Sequence, residues 1–349
     1  SEPWDNLKFD ANGVDEVRRK LFGTLYNTYS FFALYANVDN FDVETPQVDF
    51  AKRPEIDRWI LSCLQTLIKK VDAELKSYDP TRAGRLIDNF VNDDLSNTYV
   101  RQSRKRFWGK EMSDDKLSAY QTLHTCLLTV AKLLAPFAPF YSDQLYHDLG
   151  GDMTSVHLEN FPQANEAFIN TDLEERMEIA RKITSMTLAL RRKVNIKVRQ
   201  PLQQIMIPAV SAEQKAQIEA VKDLIMSEVN VKELKFVEGE DILVKTVKCN
   251  FRTMGKKYGK LMKGVANVMS NLDQHQISQL EKEGSLIINV EGQDLVVDAA
   301  DVEIISQDIP GWLVSNDGNV TVALEVELTD ELIKEGTARE LINRIQNLR

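Results

Sequence analysis

Apolar residues recur on a helical period through about the first 200 positions of the chain and adopt strand-like patterning after them. Val14–Ala36 carries Val17, Leu21, Leu25, Phe32 and Tyr35 broadly at helical spacing. Thr45–Pro54 is polar and proline-bounded, which predicts a connection. Ile56, Ile60, Cys63, Leu64, Leu67, Val71 and Leu75 then mark a strongly amphipathic helix, ended by Tyr78-Asp79-Pro80. A third helix is expected from about Thr81 to Trp108. A fourth runs from Leu117 to Leu134, with Tyr120, Leu127 and Ala131 on its stripe, until Pro136 and Pro139 intervene. Tyr141–Leu149 predicts a short helix closed by Gly150-Gly151, and Leu173–Val194 a long one. Successive amphipathic helices with short links predict a bundle.

After about residue 203 the pattern becomes α+β. Glu233–Val237 and Ile242–Val247 are β-rich and separated by the turn-like Glu238–Asp241. Ser285–Val290 and Asp294–Asp298 repeat this around Glu291-Gly292. Leu313–Ser315 and Val320–Leu324 flank Asn316-Asp317-Gly318, a hairpin signal because such residues tolerate positive φ. Helices are expected at Ala212–Glu228, Met254–Met269 and Thr329–Leu348. The fold class is therefore mainly α: a helical bundle followed by a smaller α+β domain.

Composition narrows the function. The 349 residues carry a net charge of −10 with ordinary hydrophobic content, which suits globular domains rather than disorder. No apolar run approaches the roughly 18 residues that span a bilayer. Cys63, Cys126 and Cys249 are far apart and outside any C-x-x-C pair, and read as small core residues in a reducing cytoplasm. The opening serine and the helical pattern still running at Arg349 are expected of a piece of a longer protein.

Against this acidity stand three basic islands. Asn97–Lys110 gathers Arg101, Arg104, Lys105, Arg106 and Lys110 around Phe107-Trp108, with no acid before Glu111. At about 100° per residue, Arg101, Arg104, Lys105 and Trp108 share one helix face, while Leu95, Tyr99 and Phe107 share another. A cationic, aromatic face suits RNA, whose phosphates take guanidinium forks and whose unstacked bases take aromatic rings. The alternative is a solvated basic face with Trp108 in the core. The second island holds Arg191, Arg192, Lys193, Lys197 and Arg199, with no acid between Glu178 and Glu213. The third, Lys245–Lys263, holds Lys256, Lys257 and Lys260 beside Gly255 and Gly259, which would let backbone amides approach a phosphate. A solvated charged surface remains open for it. The four histidines are scattered, and there is no Walker loop, G-x-S-x-G or G-x-G-x-x-G, so nothing here indicates chemistry or a resident cofactor.

Arg53–Ile60, Asn92–Trp108 and Leu134–Tyr146 resemble the anticodon-binding helical domain of class I aminoacyl-tRNA synthetases. They are most similar to the isoleucyl-tRNA synthetase family of the longer, eukaryote-like type. Asn27–Phe32, Lys197–Leu202, Asn250–Lys260 and Ala338–Arg349 fit the same family in order. Thr98 stands where many relatives carry tryptophan. The family's catalytic signatures are absent; Glu111–Lys116 echoes its KMSKS loop only superficially, because Glu111 and Asp114 replace phosphate-holding lysines.

The resemblance implies a C-terminal, tRNA-binding portion of a ligase that joins isoleucine to its tRNA using ATP. ATP with magnesium, and zinc, are implied for parts elsewhere. It implies a connecting segment and first helix over 1–52, the bundle over 53–203 and an α+β domain, truncated at its end, over 204–349. Isoleucine tRNA is the implied partner, with no DNA and no membrane, for a monomer in the cytoplasm. Arg58 joins the three islands as an implied tRNA contact. The competing expectation is an acidic protein-interaction scaffold, its surface strongest after Glu283.

Overall fold

The computed structural model describes residues 9–109, 111–208, 211–237, 244–272, 274–290, 292–307, 311–317 and 320–348. The chain divides into two compact units, residues 1–175 and 176–349. The division falls inside a helix, earlier than the expected 203/204.

Unit one is helical. Helix α1 covers 11–39, opening where Asp10 accepts the Asn12 amide at 3.0 Å and widening into a π-turn over Arg18–Phe22. It ends at Asn40, whose φ of 51° only a few residue types adopt readily. Leu21, Leu25 and Phe32 are buried, as the pattern requires, whereas Val17 is exposed. Helix α2, Glu55–Lys76, buries Trp59, Ile60, Leu64, Leu67, Ile68 and Val71. Helix α3 covers 80–107. Asp79 caps it through the Arg82 amide at 2.9 Å, and Pro80 occupies the first turn, where a missing N–H costs nothing. Its middle, Phe90–Val100, is π-helical. The buried Thr98 hydroxyl donates to the Asp93 carbonyl at 2.7 Å there, so the smaller side chain is used within its own turn. Helix α4, Asp114–Leu134, starts at the Ser113 cap, and α5 is Pro139–Asp148. Helix α2 packs on α3 and α4, and α4 on α5, forming the expected bundle. Helix α6, Thr171–Lys193, crosses the division.

Unit two holds eight described strands: β1 Leu202–Pro208, β2 Val231–Val237, β3 Val244–Cys249, β4 Ser285–Val290, β5 Gln293–Asp298, β6 Val302–Gln307, β7 Trp312–Asp317 and β8 Val320–Glu325. One sheet has the order β2-β1-β8-β7. Strands β1 and β2 pair in parallel across helices α7 (Ala212–Ala220) and α8 (Lys222–Val229). Two antiparallel pairs, β3–β6 and β4–β5, surround helices α9 (Phe251–Tyr258), α10 (Met262–Ser270) and α11 (Gln274–Glu283). They share a small core of Met254, Val265, Met269, Ile277, Leu280 and Ile288. Helix α12 is Asp330–Asn347.

The β4–β5 and β7–β8 pairs match the patterning. Strands β2 and β3, adjacent in sequence, instead join different sheets. The turn residues 238–241, Glu291, Gly318 and Lys110 lie outside the described residues. Strands β1 and β6 and helix α11 fall outside the elements expected from patterning. The burial of β1 alternates only in part, with Gln203 exposed, Gln204 half-buried and Ile205 and Ile207 buried, so its sequence lacks a clean period-two signature.

Glycine closes α5 for a steric reason. A Cβ on Gly151 would stand 2.1 Å from the ring of Tyr146, whose hydroxyl donates to Glu159 at 2.6 Å and accepts the Met153 amide at 2.9 Å. Gly151→Ala is expected to lower stability by about 1–3 kcal/mol, read as a lower urea midpoint. An unchanged midpoint would show that the ring moves aside freely.

Candidate nucleic-acid interface

The first basic island is organised around a buried acid. Asp57 on α2 is fully enclosed. It accepts the Tyr99 hydroxyl at 2.8 Å, Arg106 Nη1 and Nη2 at 2.6 and 2.9 Å, and the Ser118 hydroxyl at 2.5 Å. Arg106 also donates Nε to Asp115 at 3.0 Å and Nη2 to the Asp115 carbonyl at 2.8 Å. Burial opposes the charged guanidinium, but its hydrogen bonds to Asp57 outweigh this and hold Arg106 above its ordinary value. Burial, then the charge of Asp57, pushes the Tyr99 phenol well up. Arg106 is therefore a correction to the expected tRNA contacts, because its fork is already committed to Asp57 inside the bundle.

The next residue is equally constrained. Phe107 is buried and meets Phe31 and Tyr120 edge-on, with centroids 5.2 and 4.9 Å away. The helix ends there, and Trp108 is left 57% exposed, so it is not the core side chain that the alternative reading required. The following loop is tied down by the buried Lys116, whose Nζ donates to the Gly109 carbonyl at 2.6 Å and pairs with Asp39 at 2.5 Å. Asp39 also accepts the Tyr120 hydroxyl.

Arg101, Arg104 and Lys105 are exposed beside Trp108 in sequence. Arg101 Nε donates to the Asn97 carbonyl at 2.8 Å. The Arg104 guanidinium lies 5.8 Å from the Phe31 ring centroid, which limits its freedom while leaving its donors to solvent. Arg58 is only half-exposed, with Nε enclosed and without a hydrogen-bond partner. Nothing in the sequence singles out Asp57, Lys116 or Phe31; Asp57 lies inside a family motif, but its spacing does not mark it as buried.

The second island splits. Arg191 is buried, its Nη1 donating to the Lys197 and Gln200 carbonyls at 3.2 and 2.8 Å and its Nη2 to that of Asn230 at 2.8 Å. Burial pushes it down to about 10, so it stays charged at neutral pH. This is the second correction: Arg191 braces backbone carbonyls and has no surface to offer a phosphate. Arg192, Lys193, Lys197 and Arg199 are exposed. In the third island, Lys257 pairs with Asp298 at 2.5 Å and Asp301 at 3.1 Å, and hydrogen bonding to Asp298 is the main reason it titrates above its ordinary value. Lys257 is exposed as well as paired with these two carboxylates. The side chains of Lys256 and Lys260 lie outside the described residues.

Residues 57–207 match the family described as the anticodon-binding domain of tRNA ligase. Over its whole length the chain is 63% identical to isoleucine–tRNA ligase of Bacteroides thetaiotaomicron, 59% to that of Porphyromonas gingivalis and 36% to that of Clostridium tetani. It covers 31%, 31% and 34% of those proteins. The chain thus spans about a third of the length of the curated relatives it matches.

Neighbouring residues should separate sharply by stability. Arg106→Ala strands the buried Asp57 charge and is expected to cost about 3–5 kcal/mol in urea unfolding. Trp108→Ala, at the exposed helix end, should stay within about 0.5 kcal/mol of the parent.

Proposed function

We propose that this chain, whose residues 57–207 match the anticodon-binding domain family of tRNA ligases, is the tRNA-recognising part of an isoleucine–tRNA ligase. The whole ligase would join isoleucine to its tRNA through an adenylate. ATP with magnesium, and zinc, would be held by parts of that protein beyond these residues, since this sequence carries no phosphate-cradling motif. The widely spaced Cys63, Cys126 and Cys249 support a reducing, cytoplasmic setting, and the reading is of a monomer. No described helix is long and apolar enough to cross a membrane.

The observation that carries the reading is Trp108, solvent-facing at the end of a cationic helix whose adjacent residues are locked inward. An anticodon loop presents unpaired bases with open faces, and an indole offers a stacking surface with little rotamer freedom to lose. Arg104 supplies a fork suited to a base edge or phosphate, already positioned over Phe31. Arg101 and Lys105 add charge that attracts the RNA backbone. Arg192, Lys193, Lys197 and Arg199 extend the proposed RNA-facing residues, while the inward-held Arg106 and Arg191 leave them. Among the described residues, nothing favours the acidic scaffold.

Binding of an isoleucine tRNA transcript, followed by fluorescence anisotropy, tests this directly. Trp108→Ala is expected to weaken binding by about 1–3 kcal/mol through lost stacking. If Arg104 reads a base, Arg104→Ala should cost about 1–3 kcal/mol and lower discrimination between anticodons. If it holds a phosphate, all tRNAs should weaken alike and the salt slope fall by up to about one. Intact binding in Arg101→Ala, Arg104→Ala and Trp108→Ala would refute the assignment of this face. The purified chain should show no isoleucine-dependent pyrophosphate exchange above a buffer control.

A further inference from the structure

Unit two contains a second cationic feature with a shape of its own. The segment before β1 is fastened to α12 where Gln200 Nε2 donates to the Leu332 carbonyl at 2.7 Å. A Cβ on Gly336 would stand 2.0 Å from Gln200 Oε1, so the glycine permits this approach. A groove of about 580 Å³ lies between residues 195–200 and the helix, open to solvent and lined partly by Ile196 and the exposed Leu341. That volume falls in the range of small-ligand sites.

Three cations converge on one carboxylate in this groove. Glu340 lies 3.6 Å from Lys197, 3.3 Å from Arg199 and 3.7 Å from Arg344. Each separation exceeds the 2.7–2.9 Å of a well-formed charge-assisted hydrogen bond. The cations are 72%, 51% and 74% exposed, whereas Glu340 is 29% exposed. The charge of Lys197, followed by hydrogen bonding and charge from Arg199 and then Arg344, outweighs burial and holds the Glu340 carboxyl below its ordinary value. The groove therefore carries three positive charges against one negative, beside an apolar lining.

We infer that this groove is a second RNA subsite, taking one unpaired nucleotide with its phosphate among Lys197, Arg199 and Arg344 and its base against Ile196 and Leu341. The inference rests on the proposed function and adds a site in the α+β unit to it. Glu340 shares the cations and repels the incoming phosphate, so it limits how tightly the groove holds RNA. An acidic peptide would also meet the cations, but the apolar lining and two guanidinium forks fit a base and phosphodiester better.

The test uses the 349-residue chain, an isoleucine tRNA transcript and a single-stranded oligouridylate, with binding measured across salt concentrations. Glu340→Gln removes a charge close to the phosphate and is expected to tighten binding about five-fold. Lys197→Ala with Arg344→Ala should weaken both RNAs and lower the salt slope by about 0.7 for each phosphate no longer neutralised. Unchanged or weaker binding in Glu340→Gln, or unchanged binding in the double variant, overturns the inference. Displacement of tRNA from the groove by oligoglutamate but not by oligouridylate overturns it in favour of an acidic protein partner. If groove variants are silent while Trp108→Ala weakens tRNA binding, this inference fails and the proposed function stands. If no variant matters and the parent chain does not bind tRNA, both fail.

Discussion

The buried pairing of Asp57 with Arg106 is the interaction on which the helical unit depends. A carboxylate this enclosed is tolerable only when its oxygens are saturated, and four donors from Tyr99, Arg106 and Ser118 meet that demand. Those donors come from the π-helical and final turns of α3 and from α4, so satisfying one charge fixes three helices in register. Arg53 plays a related part for the connection before α2. It donates to the Val48 carbonyl at 3.1 Å, the Thr122 hydroxyl at 2.7 Å and the Gln47 side chain at 3.0 Å. Buried ionic groups of this kind contribute less to net stability than to uniqueness, because any other packing would strand a charge.

That uniqueness shapes the surface. With Arg106 drawn onto Asp57 and Phe107 wedged between Phe31 and Tyr120, the last turn of α3 cannot rotate without breaking both contacts. Trp108 and the Arg101–Lys105 side of the helix are then directed to solvent as a consequence. Lys116 completes the arrangement from the other side of the loop by holding the Gly109 carbonyl. A recognition surface gains from such support, because a side chain already ordered has less entropy to lose on binding. Unit two follows a similar rule: Arg191 collects three backbone carbonyls from residues 197–200 and 230, which fixes the segment that carries Lys197 and Arg199.

Much of the architecture was legible in the order of residues. The stripe from Ile56 to Leu75 marked α2, the run from Leu117 to Leu134 marked α4, and the Asn-Asp-Gly sequence marked the β7–β8 hairpin, because periodicity and turn chemistry are local. Pairing beyond such hairpins was not local. The neighbours β2 and β3 went to separate sheets, and β2 found β1 across two helices, a choice made by tertiary burial that neither segment encodes alone.

The basic islands show the same boundary at the level of single residues. Sequence by itself determined that cations and aromatics cluster at residues 97–110, and that Arg104 and Trp108 share a face apart from Tyr99 and Phe107. It could not separate Lys105 from Arg106, or Arg191 from Arg192, because each pair is alike in charge and adjacent in position. Only the tertiary structure decided between them. A guanidinium becomes structural when an acid or a set of carbonyls is buried within its reach, and those partners lie 49 residues away for Arg106 and up to 39 for Arg191.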